Sequence, residues 1–238
     1  MFSGHKSIYG QDLSINIIMN SIKKRNLPAF IELPHIVPNV DDLIKSFDQL
    51  SHRKNNSYEM QFAEIRDELA SNFPFEKNGY DYVVVTDIDE QYKIDIKKES
   101  PIQMYKNVMR GKAPALDCRN YVNFKEDVPI AVREFLQQFK GQVSRTRFAV
   151  LKSKMTIYEH ADNGIHHTIR VHVPLISDDK NLFFIRSANG IEYKYLEPGK
   201  VYYTNTALPH FVINNSNIDR LHLVLSLNSL DDIVEYIK

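Results

Sequence analysis

From Arg145 onward the chain consists of short runs in which apolar and polar residues alternate, and turn residues separate the runs. This pattern predicts β-strands, because side chains alternate between the two faces of a strand. Asn189-Gly190 predicts a hairpin turn in which both central residues can take positive φ, and Pro198-Gly199 predicts another turn. The eight predicted strands cover residues 146–152, 155–160, 168–176, 182–186, 192–196, 200–205, 210–214 and 220–227.

Two of these strands combine an apolar face with a face of arginine and histidine. If the apolar faces pack on helices from the first half of the chain, the basic faces point into a barrel, where a small polar ligand could bind. The alternative is that the basic faces point to solvent and have no function. The basic faces hold Arg170 and His172 on one strand, and Arg220 and His222 on the other.

The first 144 residues are predicted to be richer in helix. Helices are predicted from Asn39 to about residue 51, over 59–73, and over 129–139 with Pro129 at the first position. Strands are predicted over 28–36 and 82–88, and residues 1–28 form either a helix or an arm. A last helix is predicted after Ser229, with Asp231 and Asp232 in its first turn.

The fold class that follows is mainly β with flanking helices: a double-stranded β-helix, or jelly-roll, of the cupin-like type. We expect a single domain over 1–238, with a helix-rich part at 1–144, a jelly-roll catalytic core at 145–228 and a C-terminal helix at 229–238.

The amino-acid composition indicates which classes of binding partner and which compartment to expect. The 30 basic and 30 acidic residues give a formal net charge of zero, so no overall field favours nucleic acid or an anionic membrane surface. Cys118 is the only cysteine, which fits a reducing compartment. No secretory signal and no apolar run of about 20 residues is present, so we expect a cytoplasmic protein without a membrane segment.

Three residues predict a metal site. His160 and Asp162 stand two residues apart at a strand end, and His210 opens a later strand. Two histidines and one carboxylate form the facial triad of non-haem iron(II) oxygenases, which leaves coordination positions free for substrates and oxygen. Arg220 lies ten residues beyond His210, and its guanidinium could hold a carboxylate in a bidentate contact.

The segments HAD, RVHVPL, PHFVINN and DRLHLVLSL resemble the iron(II) and 2-oxoglutarate-dependent oxygenases, in particular the aspartyl/asparaginyl β-hydroxylase-like branch that includes proline 3-hydroxylases. The resemblance covers about residues 145–227. It implies that His160, Asp162 and His210 bind Fe(II) and that Arg220 binds the 5-carboxylate of 2-oxoglutarate. Arg170 and His172 would lie near its 1-carboxylate end.

One residue departs from part of this branch. Animal aspartyl hydroxylases carry glycine where this chain has Asp162, so the chain is more similar to the proline hydroxylase type. The resemblance implies a dioxygenase that uses Fe(II), 2-oxoglutarate and O2 to hydroxylate a small amino-acid-like substrate. The alternatives are a hydroxylase of Asp, Asn or another residue in a protein or peptide, and a metal-binding cupin without oxygenase activity.

Five further residues are candidates for the pocket, each with a more ordinary alternative. His166 and His167 could contact substrate or be exposed loop residues, and His222 could line the pocket or be a hydrogen-bonded core histidine. Arg147 could bind a substrate carboxylate or lie on a solvated edge. Tyr158 could donate to the co-substrate or simply pack.

Overall fold

The computed structural model describes residues 27–51, 80–89, 118–162 and 169–237. The predicted helix at 59–73 and the histidines His166 and His167 lie outside these ranges, as do residues 1–26 of the segment 1–28 that was predicted to be a helix or an arm. The single domain over 1–238 therefore stays a prediction. None of the helices in the described ranges is long and apolar enough to cross a bilayer.

The described residues form twelve strands and two α-helices. The helices are α1 (Val40–Ser51) and α2 (Ile130–Leu136), and short 3-10 helices cover Cys118–Asn120 and Val234–Tyr236. The strands are β1 (Phe30–Glu32), β2 (Tyr80–Val84), β3 (Thr86–Asp87), β4 (Asn123–Phe124), β5 (Val143–Leu151), β6 (Thr156–His160), β7 (Ile169–Ile176), β8 (Asn181–Ser187), β9 (Gly190–Tyr195), β10 (Tyr202–Thr204), β11 (His210–Asn214) and β12 (Arg220–Leu227).

Two antiparallel sheets make the body of the fold. The larger has the strand order β1-β10-β7-β12-β5-β2, and the smaller has the order β6-β11-β8-β9. A third, two-stranded sheet pairs β3 with β4. All eight strands predicted from residue 146 onward are present, with small shifts at their ends, and the jelly-roll class is confirmed.

One face of the larger sheet packs against the helices. Alternate residues of β7 and β12, such as Val171 and Leu223, join Leu43 of α1 and Val132 of α2 in one buried cluster. The opposite face meets the smaller sheet through a second cluster that includes Leu151, Phe183 and Tyr202. The basic residues of β7 and β12 share this second face, and they are buried rather than exposed to solvent.

Helix α1 begins where the sequence predicts. The carbonyl of Asn39 accepts a hydrogen bond from the amide of Leu43, and its side-chain oxygen accepts one from the amide of Asp42. Asp41 and Asp42 lie in the first turn, where the helix dipole favours negative charge. Helix α2 starts one residue later than predicted, with Pro129 as its N-cap.

Two predictions need correction. The hairpin between β8 and β9 turns at Ala188 and Asn189, and only Gly190 has positive φ, at 120°. The last segment is not an α-helix but a turn followed by the 3-10 helix at Val234–Tyr236. The reason is Asp232, whose fully buried carboxylate accepts the amides of Lys140 and Gly141, both at 2.9 Å, instead of facing a helix N-terminus.

Candidate metal centre

Strand pairing brings the two predicted histidine ligands together. His160 ends β6 and His210 begins β11, and the register of these antiparallel strands sets the two residues opposite each other. Their ring centroids are 4.3 Å apart. A bulge between His210 and Val212 disturbs the ladder beside the pair, as bulges commonly do next to functional sites.

Asp162 completes the cluster from the loop that follows β6. Its amide donates a hydrogen bond of 2.9 Å to the carbonyl of Thr206, which holds this loop against the segment that leads to β11. One ligand atom from each of His160, Asp162 and His210 lies within 4.8 Å of the other two. The structure thus assembles the predicted cluster of three residues, separated in the sequence by up to 50 positions.

Both imidazoles present the same nitrogen to the centre. Nδ1 of His160 lies 2.8 Å from the carbonyl oxygen of Tyr158, and Nδ1 of His210 lies 3.0 Å from that of Leu208. A carbonyl oxygen only accepts, so each Nδ1 carries a proton, and in the neutral imidazole Nε2 is then the nitrogen with the lone pair. A backbone carbonyl that fixes the tautomer in this way is typical of metal-binding histidines.

The charges of the cluster suit a divalent cation. Burial lowers the pKa of His210 to about 4, so its imidazole is neutral at physiological pH. Burial alone raises the pKa of Asp162, but the guanidinium of Arg170 and the two histidines lower it more, and the net pKa is well below its usual range. The centre therefore offers two imidazole nitrogens and one carboxylate.

The guanidinium of Arg170 binds the carboxylate of Asp162. Its Nε and Nη2 both donate to Oδ2 of Asp162, at 3.3 and 3.0 Å, and its Nη1 donates to Oγ of Ser226 at 3.0 Å. These contacts leave Oδ1 of Asp162 facing His160, with 3.9 Å between Oδ1 and Nε2. Ser226 was not among the predicted site residues, although alternation along β12 indicates that it shares the basic face.

The other basic residues line the interior behind the cluster. Arg220 is 2% exposed and burial lowers its pKa to about 10, so it stays charged at neutral pH. Its Nε has no hydrogen-bond partner among the described residues, and neither has Nε2 of His222. His172 lies against His222, with 3.4 Å between their Nδ1 atoms.

Phe183 is an inward residue that the sequence analysis did not single out. Its ring stacks on His210, with centroids 5.6 Å apart and 12° between the planes, and meets His172 edge to face at 5.3 Å. The alternation of β8 could have indicated that Phe183 faces inward, but nothing in the sequence shows that it lies between two histidines.

Of the remaining predicted pocket residues, Arg147 lies on the interior face and Tyr158 lies on the surface. The strand register sets Arg147 opposite Val224, on the interior face of the larger sheet, and its guanidinium lies 5.2 Å from the ring centroid of Tyr82. The side chain of Tyr158 is on the surface, 57% exposed, and this residue touches the centre through its carbonyl oxygen.

The chain is remotely similar to several solved structures. A prolyl-4-hydroxylase from Pseudomonas putida is 14% identical with a TM-score of 0.39, covering 89% of this chain and 97% of that one. An oxidoreductase of the 2OG-Fe(II) oxygenase family from Burkholderia pseudomallei is 14% identical with a TM-score of 0.41, covering 90% of each chain. A cupin domain from Bordetella pertussis is 17% identical with a TM-score of 0.29, covering 37% of this chain and 82% of that one.

Sequence comparison assigns the family more firmly than these structural similarities do. No curated protein sequence matches the chain. Residues 59–229, however, match the model of the aspartyl/asparaginyl beta-hydroxylase family, and this match begins well before the segment in which the motifs lie. The match covers most of the chain, including helix α2 and strand β2 as well as the jelly-roll strands. The chain is therefore an oxidoreductase that belongs to the aspartyl/asparaginyl beta-hydroxylase family.

Proposed function

We propose that this protein is an iron(II) and 2-oxoglutarate-dependent dioxygenase that hydroxylates a small amino-acid-like substrate. Nε2 of His160, Nε2 of His210 and Oδ1 of Asp162 would hold the iron. The observation that carries this proposal is the pair of Nδ1-to-carbonyl hydrogen bonds, which directs both Nε2 atoms toward the same carboxylate.

The donor set fits iron(II) better than the common structural metals. Two imidazoles and one carboxylate on one side of an ion leave its other positions open, whereas a structural zinc site is closed by four protein ligands. When bound, iron and 2-oxoglutarate supply the activation of O2, with conversion of 2-oxoglutarate to succinate and carbon dioxide and hydroxylation of the substrate.

A buried arginine fits the far carboxylate of 2-oxoglutarate. A charged guanidinium that is 2% exposed and has an unpaired Nε is costly unless an anion neutralises it. The described contacts of Arg220 include no carboxylate. We therefore assign Arg220 to the 5-carboxylate of the co-substrate, with His172 and His222 on the same interior face.

Other residues would hold the ligands in place. Arg170 fixes Oδ2 of Asp162, so that Oδ1 alone faces the metal. Phe183 would fix the plane of the His210 ring by stacking on it, and would keep water out of the space between His210 and His172. These are positioning residues, since they act through the ligands that they touch.

The complete triad and Arg147 support a small substrate. Arg147 shares the interior face with Arg220, which would suit the carboxylate of a free amino acid. Hydroxylation of Asp, Asn or another residue in a protein or peptide is the second candidate, because it is what the family's name describes. The cupin without oxygenase activity finds no support in a chain that belongs to a hydroxylase family.

Anaerobic titration with Fe(II) and then 2-oxoglutarate tests the proposal, with the visible charge-transfer band of the chelate as the signal. We expect the band in the wild-type protein, no iron binding in His210→Ala, and iron binding with a weakened band in Arg220→Ala. His35→Ala is a matched control, because His35 is on the surface and stacks on Tyr236. Iron binding without any band would refute the use of 2-oxoglutarate.

The substrate class needs a separate measurement. Succinate formation should be stimulated by one or more free amino acids in a panel and not by peptides that contain the same residues. Stimulation by peptides alone would favour the second candidate.

A further inference from the structure

The smaller sheet has an open edge at β9. This strand pairs with β8 on one side, and no strand in the described part of the chain pairs with its other side. The side chains of Ile191 and Tyr193 on this strand are 50% and 66% exposed. The edge lies at the opposite end of the smaller sheet from β6, which carries His160.

The backbone of β9 is ready to accept another strand. The amide of Arg186 donates to the carbonyl of Pro209, so Arg186 turns its backbone groups away from β9. Its partner Ile191 must then turn its own groups to the open side, because residues opposite each other in a non-hydrogen-bonded pair point away from one another. By alternation, Tyr193 and Tyr195 do the same.

An aromatic row leads across the sheet to this edge. Phe211 stacks on Phe184 with centroids 4.4 Å apart and planes within 4°, and Phe184 lies 5.6 Å from Tyr193. Among the described residues, the row ends at Tyr193. Cross-strand aromatic pairs stabilise a sheet, so a further strand with an aromatic residue at this position would extend the row.

We propose that this edge binds a second copy of the chain, by antiparallel pairing of the two β9 strands about a two-fold axis through Tyr193. In this register Tyr193 meets the partner's Tyr193, and Glu192 meets the partner's Lys194. Ile191 lies opposite the partner's Tyr195. The two smaller sheets join into one continuous sheet, and the two aromatic rows meet at its centre.

The charge pattern favours this register, because an axis through Tyr193 sets Glu192 opposite the partner's Lys194. Two-fold axes centred on Glu192 or on Lys194 would set two carboxylates or two ammonium groups directly opposite each other, which is unfavourable. The axis through Tyr193 instead sets opposite charges face to face twice. Since Tyr193 forms the hydrogen-bonded pair, Glu192 and the partner's Lys194 form the adjacent non-hydrogen-bonded pair, in which side chains come closest.

Charges on an edge strand often prevent pairing with other chains. They repel another copy of the same chain most strongly when they have one sign. Here the two charges have opposite signs and are two residues apart, so they attract a second copy in the register above. The sequence GIEYKY is thus self-complementary.

Sedimentation velocity of the full-length protein tests the proposal. We expect a wild-type dimer, and we expect Glu192→Lys and Lys194→Glu, each alone, to weaken it by at least about tenfold, because each places like charges opposite each other twice. The double variant E192K/K194E should restore the dimer. An equimolar mixture of the two single variants should also dimerise, because every pair between the two different chains is then complementary.

One further variant blocks the β9 edge, and another controls for net charge. Tyr193→Pro should give a monomer that keeps its fold, because the Tyr193 amide points to the open side and the change removes no bond to β8. Lys180→Glu, outside the strand, should leave the dimer unchanged and controls for net charge. A wild-type monomer at high micromolar concentration, or single variants that neither the double change nor mixing restores, would overturn the proposal.

Discussion

Arg170 donates two hydrogen bonds to a single oxygen of Asp162, from Nε at 3.3 Å and from Nη2 at 3.0 Å. Arg170 is 6% exposed, and Ser226 holds its third nitrogen. Because both contacts use Oδ2, the orientation of the carboxylate is fixed and Oδ1 is left for a metal. The resemblance implies that Arg170 lies near the co-substrate, and these contacts add a second possible role, the orientation of Asp162.

Replacement of Arg170 by Met should lower the affinity for Fe(II) in the absence of 2-oxoglutarate. Loss of a group that orients a metal ligand typically costs about 10- to 100-fold in metal affinity. Anaerobic calorimetric titration measures the change, with Ser226→Ala as the milder control because it removes only the contact to Nη1. If metal affinity is unchanged and only 2-oxoglutarate affinity falls, Arg170 acts on the co-substrate instead.

Asp162→Gly tests whether the carboxylate is a required ligand. We expect weaker iron binding together with partial turnover, because the resemblance includes enzymes with glycine at this position. Single-turnover succinate formation at saturating iron is the measurement. Full wild-type activity and iron affinity would show that Asp162 is not a ligand.

Arg220→Lys should raise the 2-oxoglutarate concentration needed for half-maximal turnover by more than about tenfold, since an ammonium cannot replace a bidentate guanidinium contact. Iron affinity should change little. Arg186→Lys is the matched control, because Arg186 pairs with Glu159 on the exposed face of the smaller sheet. An unchanged requirement would remove Arg220 from the co-substrate site.

The buried histidines predict a loss of stability in mild acid. Burial, and then the nearby Arg220, hold the pKa values of His172 and His222 well below the usual range. In the unfolded chain both histidines have a pKa of about 6.5. Their neutral forms therefore stabilise the fold fully above that pH, and this stabilisation is lost as the pH falls below it, because the unfolded chain then binds more protons.

Urea unfolding of the metal-free protein between pH 7.5 and pH 5 measures this effect. The free energy of unfolding should decrease toward pH 5. His222→Leu should make the decrease shallower, and the surface variant His35→Ala should leave it as it is. A stability that does not change over this range would contradict the neutral burial of these histidines.

The sequence by itself determined the strands and the identity of the candidate ligands. Period-two alternation is a local property, and a strand such as β12 shows it in eight residues, so the sequence predicts both the strand and its basic face. The spacing of His160 and Asp162 is likewise local. The prediction of the β8–β9 turn was wrong in detail because, of Asn189 and Gly190, only Gly190 takes positive φ. The prediction of the last helix was wrong because the buried carboxylate of Asp232 accepts hydrogen bonds from the amides of Lys140 and Gly141.

Only the tertiary structure decided which groups meet. The pairing of His160 with His210 depends on the register of β6 and β11, which no local pattern encodes. The placement of Phe183 between two histidines likewise depends on how the two sheets pack. Burial of the basic faces, rather than their exposure, follows from the second sheet that covers them, and alternation along a single strand is the same in either case.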